Sequence, residues 1–283
     1  MPLTNQVIII TGASSGIGAA TALAAAREGM DVVLNARRIE KLTRVAELVE
    51  QLGRRAEIVS GDVTDPGVSQ RLLDVAEERL GRFDVVFANA GYGMPRAILD
   101  YSDEELRKMF EVNLFASADL LRHAARRLQD AGRHGHLLMC SSCVAKFTMP
   151  HYGVYSSTKA AQAHLCRALR YELRASGIEV SSVHPVTTST EFFETAARHG
   201  GLDPNDTDLD HTPSIFVQPP ERVARAIIRC LRHPTSEVWT SHMVRLAAGI
   251  VTAFPFMIDW WMFREAKRRT LPAPRENADS PVR

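Results

Sequence analysis

Near its N-terminus the chain runs from an apolar, β-branched stretch, Val7–Ile10, into Thr11-Gly12-Ala13-Ser14-Ser15-Gly16-Ile17-Gly18, and on into an Ala-rich helical pattern, Gly16–Arg27. Few local patterns restrict a fold as strongly. Glycine permits the tight turn, and it lets the backbone approach a bound group closely. The helix that follows offers free N–H groups and the positive end of its dipole, which suits a phosphate. Strand before and helix after separate this unit from an ordinary glycine turn.

The same alternation continues. Strand candidates at Asp31–Asn35, Ala56–Val59, Phe83–Ala88, His136–Cys140 and Ile178–Val183 are separated by helical patterns at Arg38–Leu52, Val68–Leu80, Asp103–Gln129 and Tyr155–Ala175. Strand–helix alternation through six units predicts an α/β, doubly wound, Rossmann-like parallel sheet flanked by helices on both faces. The strands are short and almost continuously apolar, as sheets covered on both sides require. No linker interrupts residues 1–190. The regularity breaks at Pro185, and Glu191–Gln218 reads as a long irregular segment. A helix over Pro219–Leu231 and a last strand over Glu237–Thr240 follow. We expect one domain over residues 1–245, with a substrate loop at 186–218, an apolar and basic C-terminal extension at 246–269, and a disordered tail at 270–283.

Composition narrows the function. With 34 basic and 33 acidic residues the net charge is +1, so no whole-protein field favours nucleic acid. Four cysteines make no disulfide framework, and Cys140 and Cys143 have no second pair at zinc spacing. No metal site is expected, and the thiols suit a reducing compartment. The N-terminal apolar run is too short for a signal-peptide core. A cytoplasmic protein is expected.

The glycine spacing is Gly-x-x-x-Gly-x-Gly rather than Gly-x-Gly-x-x-Gly. In this the loop Thr11–Gly18 resembles the cofactor loop of the short-chain dehydrogenase/reductase family, over roughly residues 5–240. The resemblance implies a nicotinamide dinucleotide held by Gly12, Ser14, Ser15, Gly16, Ile17 and Gly18. It places Asp62 and Val63 at the adenine, and makes Asn89-Ala90-Gly91 the counterpart of the family's NNAG motif, with Ala88 replacing the first Asn. In dinucleotide folds the end of the second strand faces the adenosine ribose, where an acid selects NAD and a base accommodates the 2′-phosphate of NADP. Here that segment reads Asn35-Ala36-Arg37-Arg38. Arg37 leads us to expect NADP (NADPH), with NAD disfavoured. After the sixth strand the family's Pro-Gly-x-x-x-Thr appears as Pro185-Val186-Thr187-Thr188-Ser189-Thr190. Pro185, Val186, Thr187 and Thr190 are implied to bind the carboxamide. Valine makes positive φ costly, so the backbone there must be ordinary or strained.

Tyr155 and Lys159 are four apart at the start of a predicted helix, so they share a face. An ammonium beside a phenol favours the phenolate and lowers its pKa. Such a tyrosine protonates a carbonyl oxygen, or deprotonates an alcohol in reverse. Ser142 lies thirteen residues before Tyr155, the family's Ser–Tyr spacing, although Ser141 is its neighbour. Asn113 matches the family asparagine that holds a water for proton relay. The resemblance thus implies the catalytic set Asn113, Ser142, Tyr155 and Lys159. The wider Tyr–Lys spacing of enoyl reductases is absent.

Substrate contacts are expected from Tyr92–Met94, Val144–Tyr152 and Phe192–Phe216, whose apolar members include Met94, Val144, Phe147, Met149, Phe192, Phe193, Ile215 and Phe216. They suggest a small apolar ketone, aldehyde or alcohol. His151, His184 and His211 read as polar pocket or structural residues. Alternatives are a hydroxysteroid or other lipid-alcohol dehydrogenase, and an NADPH-sensing module without turnover. The resemblance implies a homodimer or homotetramer. Leu246–Phe263 is the most apolar stretch, interrupted by Gly249, Pro255 and Asp259 and followed by Arg264, Lys267, Arg268 and Arg269. Its readings, in descending order, are packing over the substrate mouth or another subunit, peripheral membrane contact through 246–269, and a membrane span.

Overall fold

Strand β1 (Val7–Thr11) is buried at every residue. Ile8 and Ile10 join one hydrophobic cluster, and Val7 and Ile9 join another. Side chains alternate across a strand, so a strand apolar on both faces needs cover on both. In the computed structural model, which describes residues 3–201, 203 and 217–268, helices provide it. Helices α1 (Gly16–Arg27), α2 (Ile39–Gln51) and α8 (Pro220–Arg232) pack into the first cluster. Helices α3 (Val68–Leu80), α5 (Ala116–Asp130) and α6 (Gly153–Glu172) pack into the second.

The remaining strands are β2 (Asp31–Ala36), β3 (Ala56–Ser60), β4 (Val85–Ala88), β5 (Gly135–Cys140), β6 (Ile178–His184) and β7 (Glu237–Trp239). They pair in parallel in the order β3-β2-β1-β4-β5-β6-β7. The order reverses direction between β1 and β4. At such a switch point the loops leaving the carboxyl ends of neighbouring strands part, and a crevice opens. Thr11 closes the base of that crevice: its hydroxyl accepts from the backbone N–H groups of Asn89 (3.0 Å) and Ala90 (3.1 Å).

The segment expected as one or two helices is α4 (Asp103–Phe110), a π-helical turn (Glu111–Phe115) and then α5. A capping box of Ser102 and Glu105 starts α4. The stretch from Glu191, expected to be irregular, contains α7 (Phe192–Gly200). Its glycines end a helix rather than prevent one, since Gly201 takes φ 72° at the C-terminal cap. Residues 202 and 204–216 lie outside the described residues, and with them His211, Ile215 and Phe216. So does the expected tail at 270–283.

The apolar C-terminal stretch forms two helices, α9 (His242–Ala253) and α10 (Phe256–Arg268), bent by 103°. The break falls at Pro255, which lacks an N–H and disfavours helical backbone in the residue before it. Among the described residues no single helix is long and apolar enough to cross a membrane, although this bent pair passes a test of length and composition when taken together.

Two buried histidines make the fold acid-sensitive. Burial lowers the pKa of His136 to about 3 and that of His184 to about 4. Between these values and the ordinary 6.5 the unfolded chain binds more protons than the native one, so stability is lost as pH falls below about 6.5. Each histidine costs about 2 kcal/mol between pH 7 and pH 5. Thermal melts at the two pH values should show a lower Tm at pH 5, and His184→Gln should shrink the difference. A Tm equal at both values would contradict the buried neutral state.

Candidate active site

The loops at the carboxyl edge of the sheet enclose a cleft of about 1690 Å³. That exceeds what a single small ligand usually occupies and suits a dinucleotide with a second molecule beside it. Every expected site residue lines it except Gly18 and Asn113, which lie behind its wall.

At one end, Gly12 and Gly16 have φ of 64° and 56°. A Cβ on Gly12 would stand 2.9 Å from the Cα of Ala90, and one on Gly16 would stand 3.0 Å from the Thr190 methyl. The loop is thus clamped between the β4 turn and the β6 turn, with no room for side chains. Ser15, at the N-terminal cap of α1, makes no capping hydrogen bond, and the first turn holds no acidic residue. The open N–H groups and uncancelled dipole fit a pyrophosphate, so the residues present fit a nicotinamide dinucleotide. Asn89 donates from its side chain to the carbonyls of Thr11 (3.0 Å) and Gly12 (3.3 Å), which holds the loop open.

Beyond β2, neither arginine stands free. The Arg37 guanidinium lies 3.6 Å from the Asp62 carboxylate. Partial burial tends to raise the Asp62 pKa, but hydrogen bonds from Thr64 and the charge of Arg37 outweigh it and hold the carboxyl below its usual value. Arg38 donates to Glu191 (2.7 Å), Ser15 (3.0 Å) and Ser14 (3.2 Å), and Lys41 also pairs with Glu191. Glu191 thereby ties the start of α7 to the glycine loop.

At the other end, Lys159 is buried, and its Nζ donates to the Cys140 carbonyl at 2.7 Å. That Nζ stands 5.5 Å from the centroid of the Tyr155 ring. Burial pushes the Tyr155 phenol up, as do the nearby Cys140 and Cys143 thiols, against a smaller lowering by a hydrogen bond from Ser142. Burial lowers the Lys159 pKa. The expected depression of the phenol by the lysine is therefore reversed at rest, because desolvation disfavours the charged form of both groups. The neighbouring serines Ser141 and Ser142 differ in their surroundings. The Ser141 hydroxyl is buried and donates to the Lys159 carbonyl (2.7 Å), so it is engaged in holding α6.

Asn113 sits in the π-helical turn and is fully buried. Its side chain exchanges hydrogen bonds with the Tyr92 backbone, both at 2.9 Å, and donates to Thr158 at 3.1 Å. These bonds join α6 to the Gly91 turn. Val186 has no positive φ, since among the described non-glycine residues only Asn5 and His151 do. The valine is accommodated by ordinary backbone, and its carbonyl accepts from the Thr188 hydroxyl at 2.7 Å.

The wall above Tyr155 is apolar. Phe192 lies with its ring centroid 5.6 Å from that of Tyr155. It fits there because Gly93 has no side chain: a Cβ would come within 2.8 Å of the Phe192 ring. Met94, Val144, Phe147, Met149 and Phe193 continue the lining, and so do Val244, Val251, Ile258 and Met262 from α9 and α10. Sequence reasoning left open where the C-terminal stretch packs; it covers the cleft. His184, expected to be a polar pocket or structural residue, supports the site from behind. This ring stacks on Trp239 at 4.7 Å, and its Nδ1 donates to the Ser142 carbonyl at 2.9 Å.

A family model described as short chain dehydrogenase matches residues 6–200. An uncharacterised oxidoreductase of Listeria monocytogenes is 34% identical over 83% of this chain and 93% of its own length. The L-rhamnose 1-dehydrogenase (NAD(P)(+)) of a Sphingomonas species is 35% identical over 67% of this chain and 75% of its own. Among solved structures, a short chain dehydrogenase from Mycobacterium paratuberculosis bound to NAD has a TM-score of 0.74 at 26% identity, covering 84% of this chain and 97% of that one.

These comparisons overturn the expectation that NAD is disfavoured. The Mycobacterium paratuberculosis structure is an NAD complex, and a short chain dehydrogenase from Burkholderia cenocepacia (25% identical, TM-score 0.73) is an NADP complex, so both nucleotides occur among similar structures. The physical reason lies in the pairing at β2. Acidic side chains stand beside both arginines, Asp62 near Arg37 and Glu191 at Arg38, so a basic residue after β2 does not by itself select the 2′-phosphate.

Proposed function

This chain belongs to the short-chain dehydrogenase/reductase family and is an NAD(P)-dependent oxidoreductase, and we propose that it interconverts an apolar ketone or aldehyde and its alcohol with Tyr155 as general acid and base. The observation that carries this reading is the meeting of Tyr155, Lys159 and Ser142 beneath a wall of apolar side chains, beside a glycine loop shaped for a dinucleotide.

A nicotinamide dinucleotide held by the glycine loop would supply hydride chemistry to the substrate carbon in the proposed reaction. Ser142 donates a hydrogen bond to the substrate oxygen and stabilises the charge that grows there. Tyr155, kept protonated by burial, passes its proton to that oxygen during reduction. Lys159, held by the Cys140 carbonyl, faces the ring and stabilises the phenolate left behind. Asn113 keeps α6 in register with the Gly91 turn. Gly12, Ser14, Ser15, Gly16, Ile17, Asn89, Ala90, Asp62, Val63, Pro185, Val186, Thr187 and Thr190 line the dinucleotide end, and Gly18 backs it. Phe192, Phe147 and Met149 exclude water from the reacting atoms, which favours a lipid-like alcohol or ketone over a charged one.

Nicotinamide fluorescence titration with NADH and NADPH, followed by a panel of carbonyl compounds read at the cofactor absorbance, tests the reading. Turnover of alicyclic or long-chain ketones, with little of keto acids or sugar phosphates, is the expected result. Preference for a carboxylate- or phosphate-bearing substrate would sink it.

A further inference from the structure

Helices α9 and α10 are apolar on two sides. Val244, Ala248 and Val251 of α9, with Ile258 and Met262 of α10, line the cleft. On the other side Met243, Leu246, Ile250, Met257, Trp260 and Phe263 are exposed, with Met243 at 77%, Trp260 at 66% and Phe263 at 69%. A helix apolar all round is one that something covers on every side. Here the protein covers one side only.

Charge and composition indicate what meets the other. Residues 241–269 hold five basic and two acidic residues, whereas the rest of the chain is net negative. The Arg264 guanidinium lies 4.7 Å over the Trp260 ring, so cation and aromatic face share one place on the surface. Tryptophan beside arginine is the composition of a helix seated at headgroup depth. The helices hold 12 and 13 residues, or about 18 and 20 Å, well short of the ~30 Å hydrocarbon core. With a 103° bend between them, they suit lying in an interface rather than crossing it. A second copy would set the same basic residues against themselves.

We propose that the outward face of α9 and α10 docks on an anionic lipid surface. The cleft then opens beneath the bilayer boundary, so an apolar substrate passes from lipid to Tyr155 without entering water. That route rests on the oxidoreductase reading above; the docking itself does not.

Vesicle flotation with the full chain tests it. The protein should float with phosphatidylcholine vesicles containing about 30% phosphatidylglycerol, at least ~10-fold more than with phosphatidylcholine alone, and high salt should release it. The triple variant Met257→Glu, Trp260→Glu, Phe263→Glu should stay at the bottom while retaining wild-type nicotinamide nucleotide binding. None of the three residues lines the cleft. Should that variant fold poorly, Arg245→Gln with Arg264→Gln, which leaves the apolar face intact, should lower anionic-vesicle binding ~10-fold. Wild-type protein that sediments with both vesicle types would overturn the proposal. So would flotation of the triple variant, or a wild-type dimer that the triple variant abolishes. Flotation without turnover would separate this surface from the proposed chemistry.

Discussion

Tyr155→Phe is expected to bind nicotinamide nucleotides as the native chain does and to lose most turnover. The phenol hydroxyl is the proposed proton donor, and general acid–base catalysis of this kind contributes roughly 10²–10⁴-fold. The phenylalanine ring preserves the contact with Phe192 and the face presented to Lys159, so folding and the dinucleotide end should be unaffected. Steady-state kinetics beside nucleotide titration give the answer. Turnover at the native rate, with binding intact, would remove Tyr155 from the chemistry. Losing both activities together would mean that the ring acts on the architecture instead.

Gly18→Ala should have a larger effect on binding than any polar substitution in the cleft, although Gly18 does not line the cleft. A Cβ at this position would stand 2.3 Å from the Gly12 carbonyl oxygen and 2.8 Å from the Asn89 side-chain nitrogen. Both are held: Asn89 donates to the Gly12 and Thr11 carbonyls, and Gly12 is pressed on Ala90. The loop must therefore shift away from α1, and the N–H groups that face a pyrophosphate lose their alignment. We expect a loss of nucleotide affinity of about 100-fold, with a destabilisation of about 1–3 kcal/mol from overpacking. Calorimetric titration and thermal melts separate the two. Native affinity in this variant would show that the glycine is dispensable to the cradle.

The glycine loop, the strand–helix alternation and the Tyr155–Lys159 pair were legible because each is set by local rules. Buried strands read as β-branched runs, helices as periodic patterns, and a spacing of four places two side chains on one face whatever surrounds them. Arg37 shows where such reading stops. Its identity suggested a phosphate site, but a cation's preference depends on what already neutralises it, and Asp62 arrives from a different strand. The phenol of Tyr155 is a similar case. Spacing announced the neighbouring ammonium, whereas the burial that pushes the phenol up depends on groups such as Phe192 that folding brings against the ring. The C-terminal stretch announced its apolarity and its break at Pro255, yet a periodic pattern has no way to say which side faces protein. That was decided when α9 and α10 lay over the cleft and left Met257, Trp260 and Phe263 uncovered. The sequence by itself determined the fold, the loop and the spacing of the reacting groups, since these depend on residues close together in the chain. Charge pairing, burial and the covering of the cleft were decided only by the tertiary structure, because they depend on residues far apart in the chain that folding brings within a few ångströms.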